Sequence, residues 1–281
     1  MPPQLLVLGG VTSVQFGSAF ANRLFASAGP SGVTLLRLLF GALVLVLLVR
    51  PSVRGSGRQA LLTAVLFGLM LGAMNWTFYQ ALSRAPLGPA VTIEFIGPLA
   101  VAVIGSRRRL DAVWIVLAGG GVAILGLTRH DGSGALHPAG MALALLAGVF
   151  WAGYIFLSKR VGAAMAGLDG LATAMVVATL VVLPMGLVGG GTQLMQPHVL
   201  AGGFAVAMLS SVIPYSLELL ALRRLSTAAF GLLMSMEPAV AALAGVLVLH
   251  QALHLTTAVA IVMVIAASAG STITATRSGP H

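Results

Sequence analysis

The chain contains no cysteine. That absence excludes a disulfide framework, a thiolate metal site and a cysteine nucleophile. Charge is scarce too: 7% of the 281 residues are Asp, Glu, Lys or Arg, against about a quarter in a soluble domain. The bilayer is therefore the solvent for most of this chain. No glycine-rich phosphate loop is present, no Ser, His and Asp fall together within an apolar run, and His130, His137, His198, His250 and His254 lack metal-ligand spacing. These absences argue against an enzyme and against a metal or other cofactor. Met1 to Gln4 lack the basic stretch of a cleavable signal, so the apolar run from Leu5 is expected to remain as the first span.

Apolar residues make up 58% of the sequence. They fall in stretches of roughly 20 residues, the length that crosses about 30 Å of hydrocarbon at 1.5 Å per residue. Ten spans are expected: Leu5–Ala26, Val33–Val49, Ala60–Leu82, Pro86–Gly105, Ala112–Leu127, Pro138–Leu157, Leu168–Val188, Val199–Leu222, Thr227–Leu249 and Leu255–Thr276. The fold class is all-α, because open sheet edges are forbidden in lipid and the long continuous runs lack the alternation of a barrel wall.

The net charge of +9 does not mark a nucleic-acid partner, since the basic residues are scattered between apolar runs. They report topology instead. One set of loops holds Arg50, Arg54, Arg58, Arg107, Arg108, Arg109, Lys159, Arg160, Arg223, Arg224 and Arg277; the alternate set holds Arg23, Arg84 and Arg129. Positive charge is retained on the cytoplasmic side. Both termini are therefore expected in the cytoplasm, with the chain in the bacterial inner membrane.

The sequence also matches itself at an offset of 140: Ala81, Leu82 and Arg84 align with Ala221, Leu222 and Arg224, and Pro98 and Ala102 with Pro238 and Ala242. Five spans per copy is an odd number, so the copies must lie in opposite orientations. Residues 1–130 and 136–277 are read as two inverted five-helix repeats, an architecture suited to alternating access.

Four ionisable residues fall at least four residues from the nearest span end: Arg37, Glu94, Glu218 and Glu237. Each costs about 2.5 to 3.5 kcal/mol at a helix centre, so all four are expected to face the interior. They make either a polar substrate site or proton relay, or buried pairs that fix packing. Pro98 and Pro238 follow Glu94 and Glu237 closely, and each proline leaves a backbone carbonyl free in the preceding turn. Asn75 and Tyr79 share one helix face, and Trp151, Tyr154 and Tyr215 extend the polar-aromatic set; all five are candidates for a pocket lining or for an interfacial belt. Met234 and Met236 read as packing, and the runs Gly119–Gly121 and Gly189–Gly191 as close helix contacts and turns.

Four segments, VTLLRLLFGAL around Arg37, PLGPAVTIEFIGPLAVAV around Glu94, PYSLELLALRRL around Glu218 and LMSMEPAVAAL around Glu237, together resemble the EamA-type branch of the drug/metabolite transporter superfamily. Within it the chain is similar to the bacterial threonine/homoserine exporters. The resemblance implies ten helices in an inverted five-plus-five fold and export of a small amino acid; siblings in the branch carry aromatic ones. The candidate binding residues rest on burial and chemistry. The expected partners are a small-molecule substrate and membrane lipids, with protons left open. The alternatives are export of another metabolite or drug, or a membrane enzyme or receptor.

Overall fold

The computed structural model describes residues 2–52, 57–106, 109–127, 137–165, 168–222, 224–225 and 227–276. Arg54, Arg107, Arg108, Arg129, His130, Arg223 and Arg277 lie outside the described residues, as does the junction expected between residues 130 and 136. Every regular element among the described residues is helical. This follows from the solvent, because hydrocarbon offers backbone N–H and C=O groups no partner outside the chain's own ladder.

In chain order the α-helices are α1 (Pro3–Val49), α2 (Arg58–Leu82), α3 (Leu87–Glu94), α4 (Ile96–Ser106), α5 (Arg109–Leu127), α6 (Pro138–Ala164), α7 (Asp169–Gly190), α8 (Pro197–Ala207), α9 (Ile213–Leu222), α10 (Thr227–Met234), α11 (Glu237–Leu249) and α12 (Leu255–Thr276). A 3-10 segment, Gly191–Met195, leads into α8, and a π turn, Met208–Val212, joins α8 to α9. Eight helical stretches among the described residues are long and apolar enough to cross a bilayer. Large apolar side chains such as Leu48, Val116 and Val188 are exposed on the outside, as a lipid solvent permits. The chain is a multi-pass membrane protein.

Two expected spans, Leu5–Ala26 and Val33–Val49, form one element, α1, of 47 residues. At 1.5 Å per residue it would reach roughly 70 Å, more than twice the hydrocarbon thickness. It does not run straight. Gly29 has φ +65° and ψ 161°, a left-handed φ that suits a residue without Cβ, and Pro30 after it has no N–H for the helical ladder. The two arms fold back on each other: Leu24 and Leu36 lie against adjacent glycines of α8, Gly202 and Gly203, and Gly17 and Gly41 both meet the Ser210–Ser211 turn. The connection expected between the first two spans is thus a one-residue reversal.

The spans expected at Pro86–Gly105 and Thr227–Leu249 are each divided, at Glu94–Ile96 between α3 and α4 and at Met234–Glu237 between α10 and α11. Lys159 and Arg160, expected in a loop, belong to α6, which runs seven residues past the expected end at Leu157 to Ala164. Likewise Arg58 and Arg109 begin α2 and α5. His137 is no free loop residue, since its Nδ1 accepts from Ala139 N at 3.2 Å and caps α6. The glycine runs divide by role: Gly119 meets nothing within 4 Å, Gly121 packs on α12, and Gly191 turns the chain at φ +52°.

Helix α2 packs on α6 and α7, α1 on α7 and α8, α3 on α11, and α5 on α12. The end of the bundle where α2 gives way to α3 is tied by side-chain hydrogen bonds. Asn22 Nδ2 donates to Leu82 O at 2.8 Å, Arg23 donates to Val248 O, and Leu87 N donates to Gln251 Oε1 at 3.0 Å. The first two bonds hold the first arm of α1 to the ends of α2 and α11, and the third holds the start of α3 to the segment that follows α11.

Candidate functional site

Arg37 stands on the second arm of α1, and its guanidinium is held on three sides. Nε donates to Ser211 Oγ at 3.3 Å, Nη1 to Tyr79 Oη at 3.2 Å and Nη2 to Ser210 O at 2.9 Å, with Cζ 5.3 Å from the Tyr79 ring centroid. The Ser210 carbonyl is available for a sequence reason. Its helical partner four residues on is Pro214, which has no N–H, and the ladder shifts there to a π turn in which Ile213 N bonds to Met208 O. A fork of fixed donors placed on a freed carbonyl, a phenol and a hydroxyl is how a guanidinium is kept inside a membrane.

Glu94 closes α3, and the chain restarts at Ile96. Pro98 removes the N–H that would bond Glu94 O, and that carbonyl instead faces α6: a Cβ added to Gly148 would stand 2.6 Å from it. Glu237 lies at the equivalent kind of break, as the first residue of α11 with Pro238 behind it. An acid in the first turn of a helix is favoured by the dipole. Both acids are buried, as are Arg37 and Asn75.

A cavity of about 680 Å³ gathers these groups. Arg37, Asn75, Glu94, Trp151, Tyr154, Tyr215, Glu218 and Glu237 all border it. Glu218 lies along α1, its side chain facing Gly10. Trp151 stacks edge-on to Phe95 at 5.4 Å and Tyr154 packs on Phe67 at 4.8 Å, so α6 contributes a braced aromatic wall. Asn75 uses its amide nitrogen inside its own helix, donating to Leu71 O at 2.8 Å. Tyr79 differs from the others: it is fully buried behind Arg37 and orients the guanidinium without bordering the cavity.

Sequence reasoning passed over several cavity residues. Gln15 and Ser18, three apart on the first arm of α1, border it, as do Ser210, Ser268 and Thr272. Neutral polar residues carry a smaller insertion cost than charges, so they stood out less; the i, i+3 spacing of Gln15 and Ser18 was the available signal. Met234, expected only to pack, also lines the cavity, whereas Met236 is exposed. Lys159, counted for topology, sits at the cavity's rim with its side chain exposed.

A family model described as the EamA-like transporter family matches residues 138–273. The threonine/homoserine exporter RhtA of Salmonella typhimurium is 42% identical over 275 residues, covering 98% of this chain and 92% of the relative. Its Escherichia coli K12 counterpart of the same name is 42% identical over 272 residues, covering 97% and 92%. One solved crystal structure superposes with a TM-score of 0.63 at 19% identity, over 98% of this chain and 99% of that one, which speaks for the fold alone. With identity of that order along nearly its whole length, and a helical bundle built around a cavity that ionisable residues border, this chain belongs to the EamA-like transporter family.

Proposed function

We propose that this protein exports threonine, homoserine or similar neutral amino acids across the inner membrane by alternating access between two inverted halves. The observation that carries the reading is the meeting of Arg37, Glu94, Glu218 and Glu237 at one cavity. An amino acid is zwitterionic and needs an acceptor for its ammonium and donors for its carboxylate. Glu94, with Glu237 and Glu218 near it on the cavity wall, supplies acceptors. Arg37 spends three of its five N–H groups on Tyr79, Ser211 and Ser210, which leaves two for a carboxylate. The names of the two relatives supply the substrate class.

The inverted halves draw support from element boundaries. α3 and α10 begin and end 140 residues apart, Leu87–Glu94 against Thr227–Met234. α2 ends at Leu82 and α9 at Leu222, again 140 apart. Counting both arms of α1 and adding the shorter apolar helix α5 brings the eight long stretches to ten spans. The pairings of α3 with α11 and of α5 with α12 join corresponding spans of the two halves. With the Arg-rich loops cytoplasmic, the tied end of the bundle faces outward and the rim at Lys159 faces the cytoplasm, so the cavity is accessible from inside. Export then requires the bonds of Asn22, Arg23 and Gln251 to open as the other end closes.

Glu94→Gln tests the reading. It keeps size and most hydrogen-bonding capacity, so the protein should still insert and fold. If Glu94 holds the ammonium, threonine binding by calorimetry should weaken by roughly 1.5 to 3 kcal/mol, the worth of a charge-assisted bond. If it carries protons, binding should persist while flux in proteoliposomes stops responding to a pH gradient. Wild-type binding and wild-type flux together would remove Glu94 from the mechanism.

A further inference from the structure

Three buried polar atoms among the described residues have no hydrogen-bond partner: Gln15 Oε1, Ser18 Oγ and Ser210 Oγ. Their residues are 2%, 0% and 1% exposed. Buried polar atoms are nearly always paired, because an orphan keeps its full desolvation cost. Here all three belong to residues that border the same cavity.

They are also neighbours. The first arm of α1 runs against the π turn, with Ser13 Oγ donating to Leu209 O at 2.6 Å. Gly17, between Gln15 and Ser18, has no Cβ, and Ser210 Oγ occupies the space one would fill. Gln15 and Ser18 share a helix face by their spacing. The backbone carbonyl of Ser210, meanwhile, is the group that fixes Arg37. One of the three orphan residues, Ser210, therefore also holds the guanidinium.

We propose that Gln15, Ser18 and Ser210 form a subsite that reads the side-chain hydroxyl of the transported amino acid. The proposal rests on the cavity being the substrate site and adds what selects the substrate within it. The chemistry of the orphans is that of an alcohol's complement. The Gln15 carbonyl oxygen only accepts, while the two serine hydroxyls both donate and accept. One alcohol donating to Gln15 and accepting from both serines through its two lone pairs satisfies the set. A carboxylate would meet the Gln15 oxygen with like partial charge, and a methyl group would leave all three atoms unpaired. A site built to bond a hydroxyl rejects the analogue that lacks it. A hydroxy amino acid would thus be read at three points, ammonium at the glutamates, carboxylate at Arg37 and hydroxyl here.

Threonine and valine are near-isosteric and differ at this group, so their flux ratio is the measurement. The full-length protein in proteoliposomes should favour threonine over valine by about tenfold or more in flux at limiting concentration, the worth of one good hydrogen bond. Gln15→Met, which keeps length and removes the acceptor, should lower that ratio at least about fivefold, with Ser210→Ala lowering it in the same direction. Ser210→Ala removes a single oxygen and serves as the readout should Gln15→Met fail to elute as a folded species. A ratio that stays at the wild-type value in the folded variants, with threonine flux intact, overturns the subsite and leaves the cavity reading standing. Absence of threonine flux in the wild-type protein overturns both.

Discussion

Gly148→Ala places a methyl group where α6 meets the break between α3 and α4. The new Cβ would stand 2.6 Å from Glu94 O and 3.3 Å from both Glu94 C and Gly97 N, whereas real Cβ contacts essentially never fall under 3.0 Å. The contact must therefore open by at least 0.4 Å, the difference between those two distances. Both sides of it are backbone, so no flexible side-chain tip can swing away. Overpacking of this kind costs about 1 to 3 kcal/mol, against a gain of about 0.8 to 1 kcal/mol for replacing glycine by alanine in a helix. Gly119→Ala on α5 is the control, because that position is exposed and meets nothing within 4 Å. Both variants share the propensity gain, so their difference isolates the steric cost. At roughly 2 to 4 °C per kcal/mol for a chain of this size, Gly148→Ala should melt a few to about ten degrees below Gly119→Ala in a detergent thermal scan. It should also slow transport, since the displaced carbonyl belongs to Glu94. Equal melting of the two variants would refute the contact between α6 and the break.

Arg37→Lys should cut flux by more than about tenfold, because a point charge with three donors cannot span Tyr79, Ser211 and the Ser210 carbonyl as a planar fork does; flux in proteoliposomes checks it, and retention of full flux would separate Arg37 from transport. Arg23→Ala removes the bond to Val248 O and should loosen the tied end. On this cysteine-free background, a single cysteine at Val14, which lines the cavity, should then react faster with an impermeant maleimide added outside. Labelling no faster than with Arg23 present would mean that this bond does not hold the closure.

The spans were legible because hydrocarbon leaves a long helix almost no alternative. The burial of Arg37, Glu94 and Glu237 was legible for the same reason, as a charge facing lipid would be expelled. The breaks beside Pro98 and Pro238 could be located, since a proline removes a specific N–H. The reversal in α1 could not be told from an ordinary loop, because a stretch of polar and small residues near Gly29 is compatible with either. Counting apolar residues ended the sixth span at Leu157, while α6 continues as a helix past the apolar run. Tyr79 was correctly grouped with Asn75 on one face, yet its place behind Arg37 depends on how α1 packs against α2. Pairwise sequence spacing carries no information of that kind.

The bonds at the tied end share an asymmetry with a consequence for how this protein can change. Asn22, Arg23 and Gln251 each contribute a side chain, but each bonds to a main-chain group, Leu82 O, Val248 O or Leu87 N. Only the side-chain partner in each bond is therefore specified by residue type, and drift at Leu82 or Val248, or at Leu87 to any residue but proline, keeps the main-chain partner. None of the three donors or acceptors on the side-chain half lines the cavity. On the proposed function, selectivity and closure are thus separable traits, and a laboratory evolution campaign aimed at a new solute could rewrite the cavity wall while inheriting the latch unchanged.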